Sequence, residues 1–164
     1  MMSKRLSVVR MVFRRAALTI VALLIGIVIG GQMGLFVGTR PPDLGVHQGR
    51  LKPAPSTPNC VNSQSTAGNS RIAPLAYAGD GKIALARLHA LVAAMPAGKV
   101  IDFRGAYLYA EFTSKWLGFV DDVEFYLDEE ARVIHVRSAS RLGHGDHGVN
   151  RQRVEAIRTA LGNN

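Results

Sequence analysis

The chain has 164 residues, a formal net charge of +8 and one cysteine. This length suits one domain with its own core, and a single cysteine excludes an intramolecular disulfide. Five of the twenty basic residues lie at the N-terminus, at Lys4, Arg5, Arg10, Arg14 and Arg15. Because the remaining chain carries only three more basic than acidic residues, its charge argues against a nucleic-acid partner.

Residues 16 to 38 form an uncharged, mostly apolar segment directly after the basic N-terminus. As a helix this segment would be roughly 35 Å long, which is enough to cross a bilayer. The basic residues 1 to 15 predict that the N-terminus lies in the cytoplasm. We therefore predict a single-pass protein of the inner (cytoplasmic) membrane whose C-terminal domain lies outside the cytoplasm. The alternative is a cleaved signal peptide, although the segment exceeds the usual apolar length and lacks an Ala-x-Ala site near its end.

Residues 39 to 57 contain four prolines and no sustained hydrophobic periodicity. We interpret them as an extended spacer that holds the domain away from the membrane. The domain is predicted to occupy residues 58 to 164. Its first part, residues 58 to 70, is irregular and is expected to wrap the domain surface. Cys60 lies in this part, and its thiol is expected to be buried and unreactive because nothing nearby would lower its pKa.

The domain is predicted to contain helices at both ends and strands between them. Residues 80 to 95 have apolar positions at three- and four-residue intervals, with Asp80 as N-cap. Four extended runs follow, at residues 99 to 104, 107 to 113, 119 to 127 and 132 to 139. The last helix is predicted at residues 149 to 161. Since the connections are too short for crossovers, we predict an α+β fold in two layers, an antiparallel β-meander with the helices on one face.

Side-chain alternation predicts the register of the two strands before the last helix. With the turn at residues 128 to 131, apolar residues pair on one face of the sheet. On the other face Glu124 pairs with His135 and Asp122 with Arg137, as cross-strand pairs on a solvated surface. The preceding hairpin, turning at residues 113 to 118, gives the same division of faces.

Asp121 is the exception to this pattern, because alternation places it on the apolar face. A buried carboxylate is costly unless it is paired or hydrogen-bonded. We therefore predict that Asp121 meets an arginine or backbone donors, with Arg141 as the candidate partner.

Acidic and histidine residues are dense between residues 118 and 158, but their spacing argues against a metal site. Asp121 and Asp122 point to opposite faces, and His144 and His147 lie in a flexible loop. No HExxH, CxxC, Walker or Gly-x-Ser-x-Gly motif occurs in the sequence. We therefore predict no metal and no cofactor.

The glycines at 143, 145 and 148 match the dinucleotide-binding fingerprint. Only sixteen residues follow the last of them, so no second parallel strand can form and we reject that interpretation. The backbone N–H groups at the start of the last helix, with Arg141, Arg151 and Arg153 nearby, would still suit an anion or a carboxylate. Alternatively, Asp146 or Asn150 caps the helix and takes that place.

Several separated sequence blocks resemble the DUF1499 family, a domain of unknown function. They are PNCVNS at 58 to 63, IAPLAY at 72 to 77, AEFTS at 110 to 114, GFVDDVEFYLD at 118 to 128, and HVRSASRLG with GVNRQRVEAIR between 135 and 158. The resemblance extends over residues 43 to 161. It implies a membrane-associated or exported protein without an established activity. It also implies a motif formed by Cys60, Asp121, Asp122, Glu124, Arg137, Ser138, Ser140, Arg141, Asp146, Asn150 and Arg151.

Three hypotheses about function follow. The first is a non-enzymatic envelope domain that binds an envelope protein or a small anionic or lipid-like ligand. Its candidate residues are Asp121, Asp122, Glu124, His135, Arg137, Arg141, Asp146, Asn150 and Arg151. The second is a hydrolase-like enzyme that uses Asp122, Glu124 and His135, and the third is an internal network that fixes the hairpin and the last helix. Convergence of the charged residues on a concave site would favour the enzyme, whereas mutually satisfied pairs would not.

Overall fold

A computed structural model describes residues 2 to 66 and 68 to 162. These residues form three helices and a six-stranded antiparallel sheet, which confirms the predicted α+β class. In chain order the elements are α1 (Met2–Gln32), β1 (Cys60–Asn62), β2 (Leu75–Ala76), α2 (Gly81–Ala94), β3 (Gly98–Arg104), β4 (Tyr107–Thr113), β5 (Val120–Asp128), β6 (Val133–Ser140) and α3 (Val149–Gly162). The sheet order is β1-β6-β5-β4-β3, and β2 also pairs with β6.

Within the helix α1, Val9–Gln32 is a candidate membrane span. The helix already begins at Met2, so the basic N-terminal residues belong to the same helix. It ends before the apolar segment does, because Gly34 adopts a φ of 92°. The N–H of Leu35 then donates to the carbonyl of Gly30, a bond that characterises a glycine-terminated helix end.

The helices α2 and α3 pack on one face of the sheet, as predicted. Asp80 caps α2, because its carboxylate accepts hydrogen bonds from the N–H groups of Lys82 and Ile83. The apolar core lies between the helices and the sheet, and its fully buried members include Leu85, Leu88, Val92, Phe125, Ile134, Val136, Val154 and Ile157. We call this side of the sheet the helix side.

The hairpin of β5 and β6 keeps the predicted faces but not the predicted partners. Glu124 pairs with Arg137 rather than with His135, and Asp122 pairs with Ala139 rather than with Arg137. Each residue of β5 therefore meets a partner two positions further along β6. Because this shift is an even number, every side chain stays on the face that alternation predicts.

Turn geometry explains the shift in register. Arg132, predicted as the first residue of the last strand, has a φ of 55° and belongs to the turn. The hairpin of β4 and β5 is displaced in the same way, so Leu108 pairs with Phe125 rather than with Val123. Its turn comprises residues 114 to 119, one residue further than predicted.

Residues 39 to 51, which we call the strap, lie across the sheet on the side opposite α2 and α3. The N–H of Gly45 donates to the Glu124 carboxylate, and Arg40 donates to Glu111. Leu51, at the end of the strap, is buried. Residues 39 to 51 of the predicted spacer therefore contact the domain. We call this the strap side of the sheet.

Two further predictions fail at the sheet. The outer face is not solvated, since Glu124 is 0% exposed and Asp122 and Arg137 are nearly as buried. The stretch predicted to wrap the surface contains β1, a buried strand that pairs with β6. The first failure arises because residues 39 to 51, which have no periodic pattern, cover polar side chains that alternation alone would leave in water.

Candidate functional site

Glu124 lies at the centre of a polar network on the strap side. Its carboxylate accepts hydrogen bonds from the Gly45 N–H at 2.7 Å, the Tyr107 hydroxyl at 2.9 Å and the Arg137 guanidinium at 3.2 Å. These three donors compensate a carboxylate that has lost its water. Burial, together with the nearby Glu124 charge, raises the pKa of Tyr107 far above its usual range, so its hydroxyl remains a donor. Arg137 Nε is a buried nitrogen without a hydrogen-bond partner among the described residues.

Asp122 lies on the same face of the sheet as Glu124, and its partner is Arg141. The Arg141 Nε lies 3.1 and 3.0 Å from the two carboxylate oxygens of Asp122, and Nη2 lies 2.7 Å from one of them. The Tyr109 hydroxyl donates to the same carboxylate at 2.6 Å. Burial opposes the charge of Arg141, but its hydrogen bonds to Asp122 and Glu111 outweigh this effect and raise its pKa.

Glu111 connects the network to the strap. Its carboxylate accepts hydrogen bonds from Arg141 and from Arg40, the latter at 2.9 and 2.5 Å, and the Tyr109 hydroxyl that donates to Asp122 lies 3.0 Å from it. Burial alone would raise the pKa of Glu111, but its hydrogen bonds with Arg141 and Arg40 lower it. We call the whole set the strap-side network, and its members are Arg40, Gly45, Tyr107, Tyr109, Glu111, Asp122, Glu124, Arg137 and Arg141.

A cleft of about 710 Å³ opens beside this network, between the strap and the strands β3 and β4. It is lined by Arg40, Pro41, Pro42, Leu44, Gly45, Val46, Ile101, Asp102, Arg104, Tyr107 and Tyr109. Arg104 is 81% exposed and pairs with Asp102, and Arg40 is 49% exposed. The acids Asp122 and Glu124 face arginines inside the network and do not line the cleft.

Asp121 lies on the helix side, as alternation predicts, but its partner is Arg153 and not Arg141. Arg153 Nη2 lies 2.5 Å from the Asp121 carboxylate, and Nη1 donates to Ser138 and Asn150 at 2.9 and 2.7 Å. The guanidinium carbon is 4.7 Å from the centroid of the Phe112 ring. This second cluster joins β5, β6 and α3, and its charges belong to internal contacts.

Asp146 caps α3, which confirms one of the two alternatives for the glycine-rich loop. Its carboxylate accepts hydrogen bonds from the N–H groups of Gly148 at 3.0 Å and Asn150 at 2.9 Å. It therefore occupies the place at which an anion would bind. Burial would raise the pKa of Asp146, but these backbone donors lower it. Arg151 instead donates to the carbonyls of Asn69 and Arg71, which holds the preceding loop to α3.

His135 is separate from the strap-side network. Its Nδ1 lies 3.2 Å from the Ser63 hydroxyl, and its Nε2 lies 3.6 Å from Asp128. Burial lowers the pKa of His135, although Asp128 acts in the opposite direction. The contacts thus do not bring His135 together with Asp122 and Glu124 as a hydrolase-like site would require. Within the two described ranges, no group of three or more His, Cys, Asp or Glu side chains could hold a metal ion.

Several residues of these clusters were not predicted as site residues. Glu111 shares the alternation of Tyr107 and Tyr109 on β4, so the pattern contained a signal for it. Arg153 is expected near the start of the last helix as a partner for an anion, but its contact with Asp121 is not predicted. Its position one helical turn after Asn150 is a usable signal. Nothing in the sequence indicates that Arg40 or Gly45 would reach the sheet. Cys60, by contrast, is buried as expected, and burial raises its pKa to about 11.

The fold and the site together define an α+β domain joined by a strap to an apolar helix that is a candidate membrane span. Residues 50 to 161 match the family described as "Protein of unknown function (DUF1499)". The chain belongs to this family, as the resemblance of its sequence blocks indicates. A comparison with curated proteins found no match. A comparison with solved structures also found none.

Proposed function

We propose that this chain is a single-pass protein of the inner membrane, with its N-terminus in the cytoplasm and its domain in the envelope, where it binds a small anionic, lipid-like ligand. The basic residues before the apolar part of α1 support this orientation. The exposure of the large apolar side chains along α1 supports a location in lipid.

The cleft beside the strap is the observation that carries the proposal. Its lining combines apolar side chains, such as Leu44, Val46 and Ile101, with two exposed arginines. These are Arg40, which pairs with Glu111, and Arg104, which pairs with Asp102 of the lining. An apolar wall with a few polar groups is typical of small-molecule sites, and guanidinium groups suit a carboxylate or phosphate. An acyl chain with an anionic head group is therefore the ligand class that fits the cleft.

The contacts of the acids favour binding over catalysis. Asp122 and Glu124 are each held by an arginine and a tyrosine, and neither lines the cleft. A general acid or base must come within hydrogen-bonding distance of the substrate. The buried arginines already neutralise these carboxylates. Asp122 and Glu124 are therefore better suited to stabilise the structure behind the cleft than to react with a substrate.

A photoactivatable fatty acid carrying a diazirine tests this function. The full chain, reconstituted in lipid nanodiscs, is irradiated with the probe, and the labelled peptides are identified by mass spectrometry. We expect labelling in residues 40 to 46 and 101 to 109, in addition to α1. The double variant Arg40→Ala with Arg104→Ala should lose the cleft labelling and keep that of α1, which serves as an internal reference.

Two controls make the result specific. Arg87→Gln removes an exposed arginine from α2, on the helix side, and should leave the labelling pattern unchanged. The corresponding diazirine fatty alcohol has no negative charge and should label the cleft less than the acid does. Labelling confined to α1, or equal labelling of the cleft in parent and double variant, would show that the cleft does not bind such a ligand.

A further inference from the structure

The end of α1 contacts the turn between β4 and β5. Gln32 Nε2 donates to the carbonyls of Lys115 at 2.9 Å and Trp116 at 3.0 Å. Next to it, the rings of Phe36 and Phe119 stack with centroids 5.0 Å apart. The turn is therefore fixed in position relative to the last turn of the helix.

Two glycines allow this close approach. A Cβ atom on Gly31 would lie 2.4 Å from the Leu117 carbonyl oxygen, and one on Gly118 would lie 2.4 Å from the Gly31 carbonyl oxygen. Both distances are well below a van der Waals contact, so no other residue fits at either position without displacing the backbone. The helix and the turn thus meet backbone to backbone.

The surface formed at this junction is apolar with one cation. Met33 and Leu35 follow the helix and are exposed, and Trp116 is 67% exposed at the tip of the turn. The Lys115 ammonium lies 5.3 Å from the centroid of the Trp116 ring. We call Met33, Leu35, Lys115 and Trp116 the junction surface. Tryptophan is enriched at the boundary between acyl chains and head groups, and a lysine there can extend its ammonium toward the head groups.

The length of α1 indicates what covers the junction surface. Residues 16 to 32, which follow the last basic residue of the helix, are roughly 26 Å long at 1.5 Å per residue. The hydrocarbon core of a bilayer is about 30 Å thick. If Arg15 marks one boundary, Gln32 falls short of the other, and the residues fixed to the helix end must complete the span.

We propose that the junction surface docks into the boundary between head groups and acyl chains, on the side of the membrane opposite the basic N-terminus. Trp116 and Leu35 enter the upper acyl region, and Lys115 faces the lipid phosphates. The inference rests on the membrane anchor of the proposed function but not on the cleft. Docking of the junction surface would hold the domain directly against the membrane, whereas a flexible linker would leave it free to move.

Trp116 is the single tryptophan of the chain, so its fluorescence reports on this surface without any substitution. The full chain is reconstituted in nanodiscs of phospholipids brominated at a shallow or a deep acyl position. We expect blue-shifted emission that shallow bromine quenches more strongly than deep bromine. Emission typical of water would overturn the proposal. Shielded emission without quenching would also overturn it, because a second copy or another protein would then cover Trp116.

Matched glycine variants test the link between the helix and the turn. Gly31→Val should displace the turn and lose most of the quenching, whereas Gly26→Val, which has open space around its Cβ position, should keep it. Equal quenching in both variants would contradict the role of the junction. If Gly31→Val does not fold, the measurement on the parent chain still decides. Failure of the parent chain to float with liposomes would contradict the membrane anchor and overturn the docking with it, whereas fatty-acid labelling tests the cleft separately.

Discussion

The two faces of the sheet are stabilised by different interactions, apolar burial on the helix side and buried ion pairs on the strap side. The helix side is an apolar core with the ion pair of Asp121 and Arg153 at its edge. The strap side holds the acids and arginines of the strap-side network, buried under an irregular segment. Apolar burial is non-directional and tolerates imperfect replacement, whereas each buried charge depends on a few particular partners. Single substitutions should therefore reveal the difference between the two faces.

Removal of Arg137 should have the largest effect. Arg137→Met would leave the Glu124 carboxylate buried without its cation, and we expect a loss of about 3 to 5 kcal/mol in the free energy of unfolding. Urea unfolding of the full chain in detergent, followed by circular dichroism, measures this loss. Arg104→Met, which breaks an exposed pair in the same sheet, should cost less than about 1 kcal/mol.

The double variant Glu124→Gln with Arg137→Met sharpens this test. It removes both charges, so it should be more stable than Arg137→Met alone. A single variant as stable as the parent chain would mean that Glu124 is not dependent on Arg137.

Removal of the strap should have the next largest effect. A chain that begins at Leu51 lacks the Gly45 donor to Glu124 and the Arg40 donor to Glu111. We expect it to be less stable than a chain that begins at Thr39 by about 2 to 3 kcal/mol, because hydrogen bonds to charged groups are lost. Both chains lack α1, so the comparison isolates the strap. Hydrogen exchange should become faster in β4 and β5, and unchanged exchange there would show that the strap does not stabilise this face.

Arg153→Ala should break the ion pair of the helix side at a smaller cost. The guanidinium contacts Asp121, Ser138 and Asn150, but both charged groups retain some exposure to water. We expect a loss of about 2 kcal/mol, measured by the same urea titration. Arg153→Lys keeps the charge and should recover part of this stability. If Arg153→Ala lowered the free energy of unfolding more than Arg137→Met does, the helix side and not the strap side would be the face more sensitive to the loss of a charge.

Low pH should reduce the free energy of unfolding through the protonation of Glu111 on the strap side. We expect this to be the smallest of the effects on stability. Burial raises the pKa of Glu111, but the hydrogen bonds of Glu111 with Arg141 and Arg40 outweigh this effect and lower its pKa from 4.5. Its stabilising contribution is thus complete above pH 4.5 and is lost as the pH falls through the lowered pKa. Glu111→Gln should reduce this acid-dependent loss by roughly 1 kcal/mol or less. Glu129→Gln, at an exposed turn position, should retain the dependence of the parent chain.

Alternation and periodicity were sufficient to predict the helix side. They identify the inward residues of β5 and β6, the limits of α2 and α3 to within a residue or two, and the unusual position of Asp121. They do not identify its partner, because the choice between Arg141 and Arg153 depends on how α3 crosses the sheet. The pairing register of β5 and β6 is also not predicted from the sequence. Arg132 has a left-handed backbone conformation, and a residue other than glycine gives no clear sequence signal for such a conformation.

The strap side could be predicted only in part. The outward polar residues of the strands follow from alternation, which correctly groups Tyr107, Tyr109, Asp122 and Glu124 on one face. The cover over them does not follow, because residues 39 to 51 have no periodic pattern that indicates contact with a sheet. The cleft, whose wall is the strap, was therefore beyond prediction as well.

The strap also has a consequence for the order in which the domain folds. Gly45 and Glu124 are 79 residues apart in the chain, and Arg40 and Glu111 are 71 residues apart. Such long-range contacts form slowly, because a large loop must close before they contribute any stability. During synthesis the strap emerges long before the acids that it covers. We therefore expect the strap to close over the sheet late in folding, and Glu124 to remain accessible to water until it does.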